Sequence, residues 1–353
     1  MSAPTARPGV RIGPVGIVVR RRAVLAGLAL GLSVVGLLLL SLLTGTIDVA
    51  PDRVWAALSG QGTRIEELVV LDRRFGRAVA AILIGFALGA AGGLTQSITR
   101  NPIASPDILG ITAGAGAAAT LLLTRPEIVA NDSGLRAASI LVPAAIVGGL
   151  VTTGLILLLG WRGGFSGMRL ILVGIAVNSL AVAVTSWLIT RSELESAAVA
   201  TRWLVGSLEG ARYDDLAVLL PVAVVGALAT LVLTRDVSSL RLGRDVSSLL
   251  GSPTARTEAG ALLVAVLLSA VTTAIAGPIG FVAFIAPQVA LRVFRTAGPP
   301  PLAAGLVGAA LLLGSDVVAQ RLPAPLPVGI VTAVVGAPFL LYLVTRSTRR
   351  TSV

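Results

Sequence analysis

The sequence contains no cysteine, no histidine and no lysine. Without cysteine there is neither disulfide nor thiolate chemistry. Without histidine the commonest transition-metal ligand and general base is missing. A chain with no lysine cannot carry the phosphate-cradling lysine of a G-x-x-x-x-G-K-[ST] loop, so ATP hydrolysis by that route is excluded. Charge is also scarce, at 13% of 353 residues, where soluble domains carry about 25%. Hydrophobic residues make up 55%, and the mean hydropathy is +0.93. So little polar surface implies that lipid surrounds most of the chain. Apolar stretches run nearly end to end, which leaves no room for the two soluble domains that the length alone would allow. We read a basic tail at 1–22, one membrane domain at 23–346 and a short tail at 347–353.

Charges delimit the spans, because an arginine or aspartate at mid-bilayer costs about 2.5–3.5 kcal/mol on insertion scales. The charge-poor stretches cover 23–44, 78–99, 108–124, 137–159, 170–190, 216–234, 259–291, 296–315 and 322–345. The seventh is too long for one helix and holds Gly277-Pro278-Ile279-Gly280 in its middle. Glycine and proline break it there, into a span to about 276 and a shorter one from about 279. The fold class is therefore all-α and polytopic, with about ten transmembrane helices. The run at 23–43 is longer than a signal-peptide core and has no small-x-small site directly after it, so it is read as the first span.

All 28 basic residues are arginine, and the net charge is +11. That balance could mean nucleic acid, but arginine gathered in cytoplasmic loops explains it more simply. With ten spans, one side holds both termini, with Arg7, Arg11, Arg20, Arg21, Arg22, Arg346, Arg349 and Arg350. The same side holds Arg100, Arg162, Arg169, Arg235, Arg241, Arg244, Arg256, Arg292 and Arg295. These 17 arginines face four acids (Asp107, Asp236, Asp245, Glu258) for a net of +13, while the other side carries 11 arginines and 13 acids for −2. The positive-inside rule makes the first side cytoplasmic.

Several glycines recur at small-xxx-small spacing: Gly85, Gly89, Gly92 and Gly93 in the second span, and Gly110, Gly114 and Gly116 in the third. This is the pattern of helices packed backbone to backbone. Asp316 is the one acid within a candidate span, near its outer end. Ion-coupled transporters place carboxylates or histidines at the midplane, so a secondary transporter is disfavoured. A membrane-embedded enzyme lacks a catalytic set, and no metal or cofactor is implied. The longest cytoplasmic loop, about 235–258, places Val246, Leu249 and Leu250 at i, i+3 and i+4. That spacing fits either a short amphipathic helix ending at Gly251 or a solvated connector.

Five motifs then appear in order. They are Arg74-Phe75-Gly76-Arg77; the turn Arg100-Asn101-Pro102-Ile103-Ala104-Ser105-Pro106-Asp107-Ile108-Leu109-Gly110; Trp203-Leu204-Val205-Gly206-Ser207-Leu208; Gly277-Pro278-Ile279-Gly280-Phe281-Val282; and Pro327-Val328-Gly329-Ile330-Val331-Thr332. Together they resemble the permease family of ABC importers for iron-siderophores, haem and cobalamin, from about residue 20 to the C-terminus.

The resemblance implies a transport subunit energised by a separate cytoplasmic ATP-binding subunit. Its other partners would be an extracytoplasmic substrate-binding protein, a second permease subunit (identical or related) and the bilayer of the cytoplasmic membrane. It implies that Arg74, Arg77 and Arg321 meet acidic residues of the binding protein, although juxtamembrane anchoring is the simpler reading of such arginines. It implies that the loop around Gly251 is a coupling helix, with Arg244, Leu250 and Gly251 as contacts. It also places Asn178, Ser179, Thr185 and Ser186 near the translocation path. Pro287-Gln288 stands where many relatives have Pro-His, and with the Ser105-Pro106-Asp107 turn this looks most like the ferric-siderophore branch, notably enterobactin-type permeases. Cobalamin or haem is the alternative cargo.

Overall fold

The computed structural model describes residues 9–12, 15–18, 21–45, 47, 49–125, 134–160, 167–211, 213–324 and 326–348. The rest of the N-terminal tail, Arg162 and residues 349–353 lie outside the described residues. Among the described residues seven helices are long and apolar enough to cross a membrane, and three shorter apolar ones complete the ten expected. In chain order the spans are α1 Arg21–Leu43, α3 Arg64–Thr99, α4 Ile111–Leu123, α5 Gly134–Gly160, α6 Gly167–Arg191, α8 Leu216–Ser239, α10 Thr254–Ala276, α11 Val282–Val293, α12 Pro301–Arg321 and α13 Val328–Thr348. Between them lie short helices off the spans: α2 Pro51–Leu58, α7 Leu194–Leu204 and α9 Arg244–Leu249.

Two details depart from an all-α reading based on charge-delimited spans. The N-terminal tail carries a small antiparallel hairpin, β1 Gly9–Ile12 with β2 Val15–Val18. The last two spans begin five and six residues later than their charges suggest and end six and three later, at 301–321 and 328–348 rather than 296–315 and 322–345. The cause is Asp316, which sits inside α12 and is wholly buried. Its charge is neutralised by another helix, so it does not end the span.

Local chemistry sets the helix starts. Thr63 and Glu66 form a capping box, with Thr63 N–H donating to the Glu66 carboxylate (2.8 Å) and Glu66 N–H to the Thr63 hydroxyl (3.4 Å). Pro51 and Pro301 open their helices, where a missing N–H costs nothing.

Helix α3 is the hub. It packs against α12, α10, α11 and α8, and its apolar window is 78% buried, against none of α1's. The glycines account for this closeness. A Cβ at Gly85, Gly89 or Gly92 would run into the backbone carbonyl of Gly308, Ala304 or Ala283. In the same way Gly114 of α4 abuts the Gly148 carbonyl of α5. Contact at this range supplies the dispersion that stands in for the hydrophobic effect within lipid.

The break at 277–281 is irregular backbone at membrane depth, tolerated only when buried in protein. It is buried in a knot built from three of the five motifs. Ser207 N–H donates to the Ala276 carbonyl (2.8 Å), and Gly329 N–H to the Gly206 carbonyl (3.1 Å). Gly206 and Gly277 adopt positive φ, +75° and +69°. A side chain at either would strike the other segment's backbone, so only glycine serves. The knot ties the outer ends of α7, α10 and α13 together.

Replacing Gly89 by valine should separate α3 from α12 and cost more than the usual overpacking penalty of about 1–3 kcal/mol, because backbone has to move. Size-exclusion profiles and melting temperature in detergent would show loss of the monodisperse peak. Gly154→Ala, on a surface with open space, should change neither.

Candidate functional site

At the outer end, α3 opens with a π-type stretch, Leu68–Phe75, whose wider turn re-aims successive side chains. Arg73 is exposed. Arg74 is only 7% exposed, and its guanidinium donates to the carbonyls of Leu42 (2.6 Å) and Ile47. Leu42 lies in the last turn of α1, where carbonyls have no helical partner. Arg74 thus caps α1 and holds the loop that follows.

Arg77 faces across to α12. Its Nε lies 3.1 Å from both oxygens of Asp316 and its Nη2 2.7 Å from one of them. Gln320 donates to the same carboxylate (2.8 Å). Arg74 and Arg77 therefore both stand at the outer end, as expected, but their guanidinium groups are engaged within the subunit. Arg321 is the last residue of α12, not part of a loop, and is exposed. A cavity of about 260 Å³ opens here, lined by Arg73, Arg77, Ser207, Glu209, Gln320 and Pro327 among others. Its floor is the glycine knot.

At the arginine-rich end, α9 forms where the 235–258 loop suggests a short amphipathic helix. Arg244 pairs with the buried Glu258 of α10 (2.6 Å). The Ser247 and Ser239 hydroxyls share a hydrogen bond of 2.6 Å. Gly251, at φ +80°, closes the helix. Pinned on that side, α9 turns its apolar stripe outward: Leu249 is 87% exposed, and Val246 and Leu250 are exposed beside it. Arg244 therefore fixes the helix, while Leu249, Leu250 and Val246 form the ridge it presents. Spacing alone reveals the stripe but not which way it faces. In the nearby turn, burial pushes the Asp107 carboxyl up to about 6, against the lowering effect of bonds from Thr112 and Ser105.

The four polar residues of α6 do not share a surface. Thr185 is buried, and its hydroxyl donates to the Ala181 carbonyl of its own helix (2.9 Å). Within the subunit its hydroxyl is therefore satisfied by its own backbone. Asn178 is half-buried, and Ser179 and Ser186 are exposed on the outer surface of the bundle. Gln288 stands inside the protein, donating to Gln96 of α3 (2.7 Å), which in turn donates to the Phe284 carbonyl (3.1 Å). In this chain the position marks an interhelical amide pair.

The family model described as the FecCD transport family matches residues 24–346. The chain is 37% identical over 311 residues to the ferric enterobactin transport system permease protein FepG of Escherichia coli (strain K12), covering 87% of this chain and 91% of that one. It is 34% identical to the iron(3+)-hydroxamate import system permease protein FhuG of Bacillus subtilis (strain 168), covering 90% and 95%. A cobalamin import permease of Halobacterium salinarum is 36% identical, covering 78% and 73%. A solved inward-facing metal-chelate type ABC transporter superposes with a TM-score of 0.77 at 26% identity, covering 92% and 99%.

The two neighbouring arginines should separate cleanly. Arg74→Met leaves the Leu42 and Ile47 carbonyls without this donor, a loss of about 1–3 kcal/mol, and should lower the melting temperature by several degrees. Arg73→Met should leave it unchanged. Equal shifts for the two would mean that Arg74 is not the cap of α1.

Proposed function

The chain belongs to the FecCD transport family, and from that premise we propose that it is the membrane permease subunit of an ABC importer that carries ferric siderophores inward across the cytoplasmic membrane. A permease of this class works with a separate ATPase and a second permease subunit. The observation that carries the reading is α9. An apolar ridge held out on a pinned, capped helix at the arginine-rich end is what a soluble motor subunit needs to grip. Such a ridge left bare in water would be a cost without a return.

A substrate-binding protein delivers the chelate to the outer face. The exposed Arg73 and Arg321 flank the cavity above the knot and are the arginines best placed to meet acids on that protein, setting register and on-rate more than affinity. Arg77 belongs to the same rim, but its charge is already matched by Asp316. Closure of the ATPase pair pulls on α9, and the motion passes through the Arg244–Glu258 pair into α10. Two packed states alternate, one open outward and one inward. The periphery includes α5 and α6, which bury little of their surface within the subunit. Ser179, Ser186 and Asn178 lie on that periphery, where the second permease subunit would complete the path. The cargo is assigned from the siderophore permeases among the relatives; cobalamin is the second reading because a cobalamin permease is similar over most of its length.

Uptake of iron-55 by cells deleted for the gene tests this directly. The panel holds a ferric catecholate, a ferric hydroxamate and labelled cobalamin. Loss of one ferric chelate, restored by wild type but not by Leu249→Asp or Gly251→Arg of equal abundance, is the expected result. Loss of cobalamin uptake alone would replace the cargo, and full restoration by Leu249→Asp would remove α9 as the grip.

A further inference from the structure

A second cavity, of about 230 Å³, lies at the arginine-rich end, beside the 240–242 segment that leads into α9. It is lined by Gln96, Ser97, Arg100 and Pro102 from the end of α3, Arg241 after α8, Gln288 and Leu291 of α11, and the loop Ala297–Pro299. Two arginines therefore face one recess. Among the described residues there are three ion pairs, Arg53–Glu66, Arg77–Asp316 and Arg244–Glu258, and neither Arg100 nor Arg241 belongs to one.

Arg241 is fixed in place. Its Nη2 donates to the Pro299 carbonyl (2.5 Å), which also accepts from the Ser97 hydroxyl (3.3 Å). Gly298 leaves room for it, since a Cβ there would lie 2.6 Å from the guanidinium Nε. That Nε is buried and has no acceptor. A buried N–H on a charged group with nothing to donate to is an unmet demand of the kind native proteins rarely leave. The Nε itself is closed off from the recess, so it is the rest of the guanidinium, on the lining, that can donate to an entering anion.

The surroundings select the anion. The volume falls below the roughly 300–1,000 Å³ of sites for drug-sized molecules, which suits a single phosphate group. Ile103 and Leu242, each next in sequence to a lining residue, and Val293, two residues from Leu291, are exposed and apolar. They place hydrocarbon-facing surface beside the charged recess, at the end where cytoplasmic-leaflet headgroups lie. Basic recesses between helices on that side suit anionic headgroups.

We infer that this recess binds the phosphate of an anionic phospholipid headgroup, with Arg100 and Arg241 as its donors and Gln96, Gln288 and Ser97 forming the polar floor. A bound headgroup would brace the ends of α3 and α11 and the start of α12, the same helices that form the rigid core. This site uses neither the cargo nor the exposed α9 ridge, and its test needs no transport readout.

The assembled transporter is reconstituted in nanodiscs of phosphatidylcholine with increasing phosphatidylglycerol, then released for native mass spectrometry and melted in parallel. Wild type should retain phosphatidylglycerol and gain melting temperature with its fraction. The Arg100→Gln/Arg241→Gln variant should retain it at least about tenfold less, the scale expected for lost charge-assisted hydrogen bonds. Gly298→Ala keeps both charges, displaces the Arg241 guanidinium and should fall the same way, which covers the case of a poorly folded double variant. Equal retention by both variants overturns the site. Equal stabilisation by inorganic phosphate in pure phosphatidylcholine makes it a free-anion site instead. Intact lipid retention with loss of the ATPase subunit assigns the arginines to that protein.

Discussion

A charge inside lipid must be cancelled where it stands, and the Arg77–Asp316 pair does this at the outer end of the α3–α12 core. Asp316 is wholly buried in α12, so an aspartate without Arg77 would carry the several-kcal/mol penalty of an unpaired buried charge, about 3–5 kcal/mol when one partner is removed. The bidentate geometry also fixes the rotation of α12 against α3. Once that rotation is set, Gly85 and Gly89 fall opposite Gly308 and Ala304, and the two backbones close. Dispersion over that contact then outweighs what lipid tails would offer either helix alone.

From this pair the rest of the architecture follows outward. Helices α10 and α11 pack on the same hub, and the end of α10 before the irregular backbone is tied by Ser207 to the Trp203–Leu208 segment, which Gly206 in turn ties to Gly329. The outer cavity rests on that knot, so its rim arginines are held at a fixed spacing. The inner face is built differently. There α9 is attached by one ion pair and one hydroxyl contact, with its apolar ridge left outward. A firm outer platform and an apolar ridge standing off the other end suit the proposed role of a subunit that receives cargo on one side and force on the other.

Much of this can be read in the sequence, for reasons that also set where reading fails. Span number and sidedness are legible because arginine is costly in hydrocarbon and gathers in inner loops. The 277–281 break is legible because glycine and proline announce it. The final two span boundaries are not, because charge delimits a span only while it is unpaired, and a partner 239 residues away in Arg77 cannot be seen locally. The same long-range contact conceals that Arg77 is spent within the subunit, and the π-type turn conceals which of Arg73 and Arg74 faces out. The α9 stripe is visible as spacing, whereas its outward direction depends on Glu258 of the following helix. Thr185 has the composition of a path residue and the geometry of a self-satisfied one.

The most direct measurement is a charge exchange across α3 and α12. Arg77→Asp and Asp316→Arg are made singly and together, and folded yield and melting temperature are read in detergent alongside uptake. Each single reversal should collapse yield and stability, and the exchanged pair should recover a large part of both. If Arg77→Asp instead folds and melts like wild type and only weakens capture of the binding protein, then Arg77 is a docking residue and the pair is not what the core is built around.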